Sequence, residues 1–352
     1  MKDLVDVDAI IDRVSGSPIA LVNVARTLLL ARGEGARARA LCARALQMSK
    51  DDGEVAAIAA EVLSADVASW YYRMVRDTRR HSAYERALGK ALSAGGRVLD
   101  IGAGTGLFAM MAARAGADQV VACEMNSAVA EAARDVVAKN GLQDRVTIVE
   151  KASTELAVGV DLEGPADVLI WDNLSHSLIG GGALATLEDA QRRLVKPGAK
   201  LLPARGAIKA AFAEDLKLDH RRMHAVGGFD LSPFNRFAQP FYTLRCDSED
   251  LEIRSTATTL FDFDFQSGGP FPAQRATAEV IGNGGVANGV VQWLELELDE
   301  DERYDTAPGR SAQAFALLFH PMAEPVEVTK AKVFSICASH DRQRLWIWRE
   351  VG

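Results

Sequence analysis

The stretch Arg97-Val98-Leu99-Asp100-Ile101-Gly102-Ala103-Gly104-Thr105-Gly106-Leu107 decides how the rest of the chain is understood. Val98 to Ile101 form a short apolar run of the kind that becomes a buried strand. Three glycines at alternate positions follow, and behind them an Ala-rich apolar stretch, 108–115, with the composition of a packed helix. Glycine in such a turn lets the backbone bend sharply and brings a ligand against main-chain N–H groups that a Cβ would block. The helix start adds unpaired donors and the positive end of a dipole. Gly102, Gly104 and Gly106 are therefore candidate ligand-binding residues, together with Asp100 beside them.

Acids then recur at strand ends. The apolar run 119–123 ends on Glu124, 18 positions after Gly106. A carboxylate at the tip of the second strand of a βαβ unit can accept both hydroxyls of a ribose. A helix over 127–140, stopped by Asn140-Gly141, leads to a strand over 146–149 and then to Lys151-Ala152-Ser153-Thr154-Glu155. Ser153 and Glu155 thus stand beyond the third strand, where an adenine amino group could be recognised. A fourth strand, 166–171, delivers Asp172 at its carboxyl end, where open α/β sheets place their sites. A nicotinamide fingerprint would be G-x-G-x-x-G with pyrophosphate on the helix end. Here the spacing is G-x-G-x-G with Asp100 beside it, and a carboxylate there repels pyrophosphate but can receive an ammonium, directly or through water. The ligand expected is an adenosine with no phosphates and a cationic amino-acid tail, which describes S-adenosylmethionine.

The segments VLDIGAGTGLFAMMAARAGA, the Cys123-Glu124 pair, VEKASTELAVG and LIGGGAL resemble the protein arginine methyltransferases, nearest their monomethylating (type III) branch. The similarity runs from about Trp70 to Leu202 and continues more faintly to the C-terminus. It implies a Rossmann-like class I methyltransferase domain followed by an antiparallel β-barrel-like domain, with S-adenosyl-L-methionine as cofactor. It also implies that an Arg on the helix before the first strand grips the cofactor carboxylate. Met74 and Tyr84 fit the family's M-x5-R-x3-Y spacing and put Arg80 in that role. A guanidinium suits bidentate carboxylate capture.

The chain has 352 residues, enough for two domains and an extension. A net charge of −8 and a pI near 5.4 argue against a general nucleic-acid binder, since phosphate contacts need clustered cations. Cys42, Cys123, Cys246 and Cys337 are far apart, with no C-x-x-C pair, as expected of reduced thiols in a cytosol and giving no metal site. Met1-Lys2-Asp3-Leu4-Val5-Asp6 lacks a basic-then-apolar leader, and the apolar stretch 18–30 is interrupted by Asn23 and Arg26 and too short to span a bilayer. Cytoplasmic localisation and no membrane association are expected.

Three parts are expected. Residues 1–69 carry helices over 20–31, 35–48 and 52–63, with Ala38, Ala40, Ala43 and Ala45 allowing close packing. This all-α extension resembles one and a half tetratricopeptide repeats, and either binds a peptide or docks as a helical cover, the cover being favoured. Residues 70–203 hold a linking helix (70–95) with Tyr71, Tyr72 and Tyr84, then the cofactor-binding half, whose last helix, 185–194, ends in a Lys196-Pro197-Gly198 turn before a strand at 200–202. From 204 the pattern is of strands: 207–212, 256–265, 276–281, 289–298, 314–320, 326–337 and 345–350. An insertion at about 214–245 takes the place of the family's dimer arm, implying a possible homodimer.

Methyl transfer from a sulfonium is an in-line displacement, so the protein's task is to align the acceptor and exclude water. The family supplies two glutamates on a hairpin after the fourth strand to hold a guanidinium. In the corresponding run here, 171–180, Asp172 stands at the first and Ser177 at the second. The family's Thr-His-Trp loop is missing from the comparable stretch, 309–315. These departures spare the cofactor site and fall on the acceptor site. Asp172 and His176, an imidazole able to titrate near neutral pH, are the candidate catalytic residues. Three readings stand: a methyltransferase of the arginine type acting on a protein or peptide; the same scaffold with a non-arginine peptide or small-molecule acceptor; and a catalytically silent, cofactor-binding interaction protein. The complete set Arg80, Asp100, Glu124 and Glu155 argues against the last.

Overall fold

The computed structural model describes residues 6–350 apart from Asp66 and Gln313. The segment 1–5, considered above for a leader, lies outside the described residues. Helices come first. α1 (Val7–Arg13) is capped by Asp6, whose carboxylate accepts the N–H groups of Asp8 and Ala9. α2 (Pro18–Val24) starts with proline behind a Ser17 cap and runs on through a π turn at Ala25–Leu29 and a 3-10 turn at Leu30–Arg32. α3 (Gly35–Met48) and α4 (Gly53–Ser64) complete a bundle whose core includes Leu21, Val22, Leu29, Leu41, Cys42, Val55 and Val62. Three of these four segments match the periodicity. α1 does not show in it, because only Val7 of its seven residues is buried. Ala38 and Ala45 are buried as expected, but Ala40 and Ala43 face solvent.

The linking segment is two helices, not one. α5 (Trp70–Met74) and α6 (Thr78–Ala91) are separated at Asp77, which leaves the helical conformation and accepts the N–H of Arg80 at 3.1 Å as an N-cap. The sheet that follows contains β1 (Arg97–Ile101), β2 (Gln119–Cys123), β3 (Val146–Val149), β4 (Ala166–Ile170) and β5 (Val195–Leu202) in the order β3-β2-β1-β4-β5. Every pairing is parallel. Strand order reverses between β1 and β4, the position at which such sheets bind ligands. α7 (Leu107–Arg114), α8 (Ser127–Lys139) and α9 (Ala183–Arg193) are the intervening helices. Lys196-Pro197-Gly198 is not a turn ahead of β5 but a bulge within it: the register with β4 jumps from Ala166↔Val195 to Val168↔Lys200, and Gly198 takes φ +77°.

Beyond β5 the pairing is antiparallel. β6 (Arg205–Asp215) lies beside Val286–Glu297, which pairs in turn with Leu317–Glu327, in a seven-stranded sheet. Gln274–Ile281, Val333–His340 and Leu345–Arg349 form a three-stranded sheet. The expected single strand over 326–337 is broken: one strand of the seven-stranded sheet ends at Glu327, and after a turn the next starts at Val333 in the three-stranded sheet. Phe212, Phe263, Phe265 and Tyr304 from this half share one hydrophobic core with Leu99, Ile101, Leu169 and Trp171 of the parallel sheet. The insertion 214–245 carries only short elements and leaves Phe229, Phe234, Phe237 and Phe241 exposed.

Candidate functional site

The three glycines take φ values of +80°, +53° and +76°, a region that side-chain-bearing residues rarely enter. The N–H groups of Gly102 and Ala103 reach the carbonyl of Cys123 at 2.9 and 3.0 Å, closing the turn onto β2. Glu124, buried at the end of β2, accepts the N–H of Gly104 at 3.1 Å and that of Asn126 at 2.9 Å. The acid expected to hold a ribose therefore also holds the shape of the glycine turn. Gly106 serves packing: a Cβ there would sit 3.3 Å from Cγ2 of Val137.

A cavity of about 570 Å³ opens at the carboxyl ends of β1, β2 and β4, with Trp70, Tyr71, Gly102, Glu124, Ser153 and Asp172 among its lining. Tyr71 stacks on Trp70 with ring centroids 4.2 Å apart, and a Cβ on Gly104 would meet its ring at 3.4 Å. Tyr72, grouped with it in the sequence, points to solvent.

Arg80 is almost fully buried on α6, with the ring of Phe108 4.7 Å and that of Tyr84 5.7 Å from its guanidinium carbon. Its Nη2 pairs with Oδ2 of Asp172, and Oδ1 of Asp172 accepts the Tyr84 hydroxyl at 2.7 Å. The Nε of Arg80 is buried with no hydrogen-bond partner, a donor that a ligand carboxylate would satisfy. Asp100 is buried beneath the turn, and loss of solvent pushes its pKa up to about 7 despite a hydrogen bond from the backbone of Ala109. A diol acceptor in Glu124, an orphaned guanidinium donor and a buried carboxylate ready for an ammonium together fit an amino-acid nucleoside. When bound, that group supplies an electrophilic methyl on a sulfonium.

Two expected residues are placed differently. Glu155 is exposed, its carboxylate accepting the N–H of Ala152 at 3.1 Å to cap the 3-10 turn Ser153–Glu155, so Ser153 and Thr154 line the cavity while Glu155 does not. His176 faces the antiparallel half. Its Nδ1 accepts the N–H of Ala316 at 3.1 Å, and its ring lies edge-on to Phe315. The lone pair that a general base would use on that nitrogen is thereby occupied, and burial, then the charge of Arg73, lowers the pKa of the ring. The base expected in His176 is corrected to an anchor of the hairpin. Ser177, at the second acidic position of the family, is tied to Ser175, their hydroxyls 2.9 Å apart.

Several contributing residues escaped the sequence reading. Asp77 is 1% exposed, and its Oδ2 accepts the Tyr304 hydroxyl at 2.6 Å and the Ala314 N–H at 2.9 Å, fastening α6 to the antiparallel half. An Asp before a helical run is an N-cap signal that could have found it. Gln292 is fully buried and donates to the carbonyl of His176 at 3.2 Å, while its Oε1 lies 3.1 Å from Nε2 of His320. A lone amide inside the apolar run Val290-Val291-Gln292-Trp293-Leu294 was the available clue. Among the described residues no cluster of His, Cys, Asp and Glu could hold a metal, and no helix is long and apolar enough to cross a membrane.

A family model described as ribosomal protein L11 methyltransferase (PrmA) matches residues 84–209. The arginine N(omega)-methyltransferase of Streptomyces achromogenes subsp. streptozoticus is 33% identical over 279 residues, which cover 79% of this chain and 77% of that protein. Protein arginine N-methyltransferase 7 of Oryza sativa subsp. indica is 33% identical over 269 residues, covering 69% of this chain. This chain spans only 37% of the rice protein's length. Among solved structures, the Trypanosoma brucei PRMT1 enzyme-prozyme heterotetrameric complex with AdoHcy superposes with a TM-score of 0.71 at 19% identity, over 78% of this chain and 89% of that one. Arabidopsis thaliana protein arginine methyltransferase 10 gives 0.67 at 19% identity, over 79% and 89%. The structures show the shared fold, a Rossmann-like domain followed by a β-barrel domain, and the Streptomyces relative shows the lineage. The chain belongs to the arginine N-methyltransferase family and is an S-adenosylmethionine-dependent methyltransferase.

Proposed function

We propose that the enzyme transfers the methyl group to a terminal nitrogen of an arginine guanidinium. The observation that carries this is the Asp172 carboxylate, fixed by Arg80 and Tyr84 where β4 ends, on the lining of the cofactor cavity. Each oxygen keeps a lone pair beyond those two contacts, enough to accept guanidinium N–H groups. A guanidinium does not lose its proton at neutral pH before reacting. Asp172 would bind the cation, localise its charge on the hydrogen-bonded side and leave electron density on the nitrogen facing the methyl. As the N–C bond forms, the C–S bond breaks and its electron pair leaves with sulfur. The surplus proton then leaves the nitrogen, through Asp172 to solvent. Arg80 and Asp100 would bind the cofactor's carboxylate and ammonium, Glu124 its ribose, and Ser153 the adenine edge; Glu155 would support that edge by holding its turn.

The test is direct. Incubation with methyl-labelled cofactor and arginine-containing acceptors should put label on guanidino nitrogen, identified by mass spectrometry. Label on hydroxyl, amide or lysine nitrogen instead would overturn the proposal.

Three coarser features join this reading. Residues 1–69 act as a cover docked on the cofactor domain (70–203), supported by Arg39, which donates to Ser127 at 2.6 Å and pairs with Glu131 at 3.6 Å. The repeat-like helices need not bind a peptide for that. Residues 204–352 form the barrel domain, whose exposed phenylalanines on the insertion support a homodimer. The four buried, unpaired cysteines suit a reducing, cytoplasmic setting.

A further inference from the structure

A second cavity, of about 230 Å³, lies on the other side of α5 from the cofactor cavity. Trp70, Tyr71 and Met74 of that helix line the first; Arg73 lines the second. Its remaining walls include Arg245, Asp247, Ser311, Ala312 and Phe315. The run that departs from the family's Thr-His-Trp loop is therefore one of its walls, and small residues there leave the space open. The walls are held together: Cys246 donates its Sγ–H to the carbonyl of Phe315 at 3.4 Å, and the Gly309 N–H reaches the carbonyl of Cys246 at 2.7 Å. The acceptor hairpin joins the two cavities. Asp172, Asn173 and Leu174 line the first, and His176, two residues on, takes its hydrogen bond from Ala316, which lines the second.

The charges indicate what the second cavity holds. Arg245 and Asp247 pair with each other through two hydrogen bonds of 2.8 and 2.7 Å. Arg73 pairs with no carboxylate among the described residues, although its charge is felt at His176. Two guanidiniums and one carboxylate leave one positive charge in excess. An interior residue of a polypeptide brings only neutral amides to that place. The α-carboxylate of an amino acid brings the single negative charge that answers this excess, with Arg73 and Arg245 to receive it, and the ammonium beside it has Asp247 within the same walls. The volume is below the range of about 300–1,000 Å³ that holds whole ligands and is suited to a headgroup.

Resting on the guanidine acceptor proposed above, the geometry points to a subsite for the acceptor's α-carboxylate, centred on Arg73 and bounded by Arg245, Asp247 and Ser311. The acceptor is then arginine with a free carboxylate, the amino acid itself, and not an arginine inside a protein.

Wild-type protein with labelled S-adenosylmethionine is offered L-arginine, agmatine (the same guanidine without the carboxylate) and a peptide with one interior arginine. The expected kcat/KM for L-arginine exceeds the other two by on the order of 10- to 100-fold, the range of one charge-assisted hydrogen-bonded pair. Arg73→Gln narrows that ratio by raising KM for L-arginine, with kcat little changed. A peptide ending in arginine that works as well as the amino acid supports the carboxylate subsite and shows that the ammonium adds little. Equal use of agmatine, preference for the interior arginine, or an Arg73→Gln protein with an unchanged ratio overturns the subsite and leaves the guanidine reading standing. No label on any guanidine, with calorimetric binding of the cofactor intact, overturns both.

Discussion

Asp172 has two duties, and they set what its replacement does. In the proposed reaction it holds the acceptor, while in the fold its oxygens take the buried Arg80 guanidinium and the Tyr84 hydroxyl. Asp172→Asn should lower kcat by on the order of a hundredfold or more, as loss of one preorganised electrostatic contact does. It should also destabilise the fold by about 3 kcal/mol, because Arg80 is left charged and unpaired in the interior. Activity assays and urea unfolding of the same variant separate the two effects. Asp100 gives a pH signature. Its folded pKa, about 7, lies above the ordinary 3.8, so folding penalises the ionised form, and its contribution to stability declines as pH rises from about 4 to 7. A cofactor ammonium favours that ionised form. Cofactor affinity should therefore rise with pH up to about 7 and level off above it, with Asp100→Asn flattening the profile; calorimetry across pH 5.5–8.5 checks this. At this scale what the sequence made legible is placement: Glu124 and Asp172 stand just past strand ends on the cavity lining, where the apolar runs before them put them. The sequence misled at Glu155 and His176, where loop conformation turns a neighbour toward the cavity instead, and where a backbone N–H from 140 residues away claims the imidazole.

At the scale of elements, the β-α alternation of the first sheet shows in the sequence because β1 to β4 are short, mostly apolar runs separated by stretches with helical periodicity. Boundaries set by single contacts do not show. The break between α5 and α6 depends on Asp77 meeting Tyr304, more than two hundred residues later. The bulge in β5 keeps a proline and a glycine inside a strand, and the turn after Glu327 is hidden between two apolar runs. The glycine turn is the element whose failure is easiest to predict. Gly106→Ala places a Cβ at positive φ and 3.3 Å from Val137, and should cost about 1–3 kcal/mol in thermal or denaturant unfolding while leaving kcat near wild type once the cofactor saturates.

For the molecule as a whole, the barrel-like half was predictable as strands but not as a partner in a common core with the parallel sheet. The insertion was expected from its correspondence to the family's dimer arm, and its exposed rings are the part that a second copy would cover. Phe229→Asp with Phe237→Asp should convert a dimer into a monomer in sedimentation velocity; wild type running at one chain's mass would sink the dimer reading. Losing these two exposed rings should leave the monomer's unfolding midpoint almost unchanged.

The carboxylate of Asp77 caps the very helical turn that carries Arg80, and its other oxygen is bolted to Tyr304 and Ala314 across the molecule. Tension on one side of that rivet is felt on the other. Saturating the nucleoside pocket should slow deuterium uptake not only around the glycine turn but also along Arg303–Asp305, a strand that shares no part of the pocket's lining. Clipping the rivet with Asp77→Ala should leave the two halves breathing independently, each with its own exchange clock.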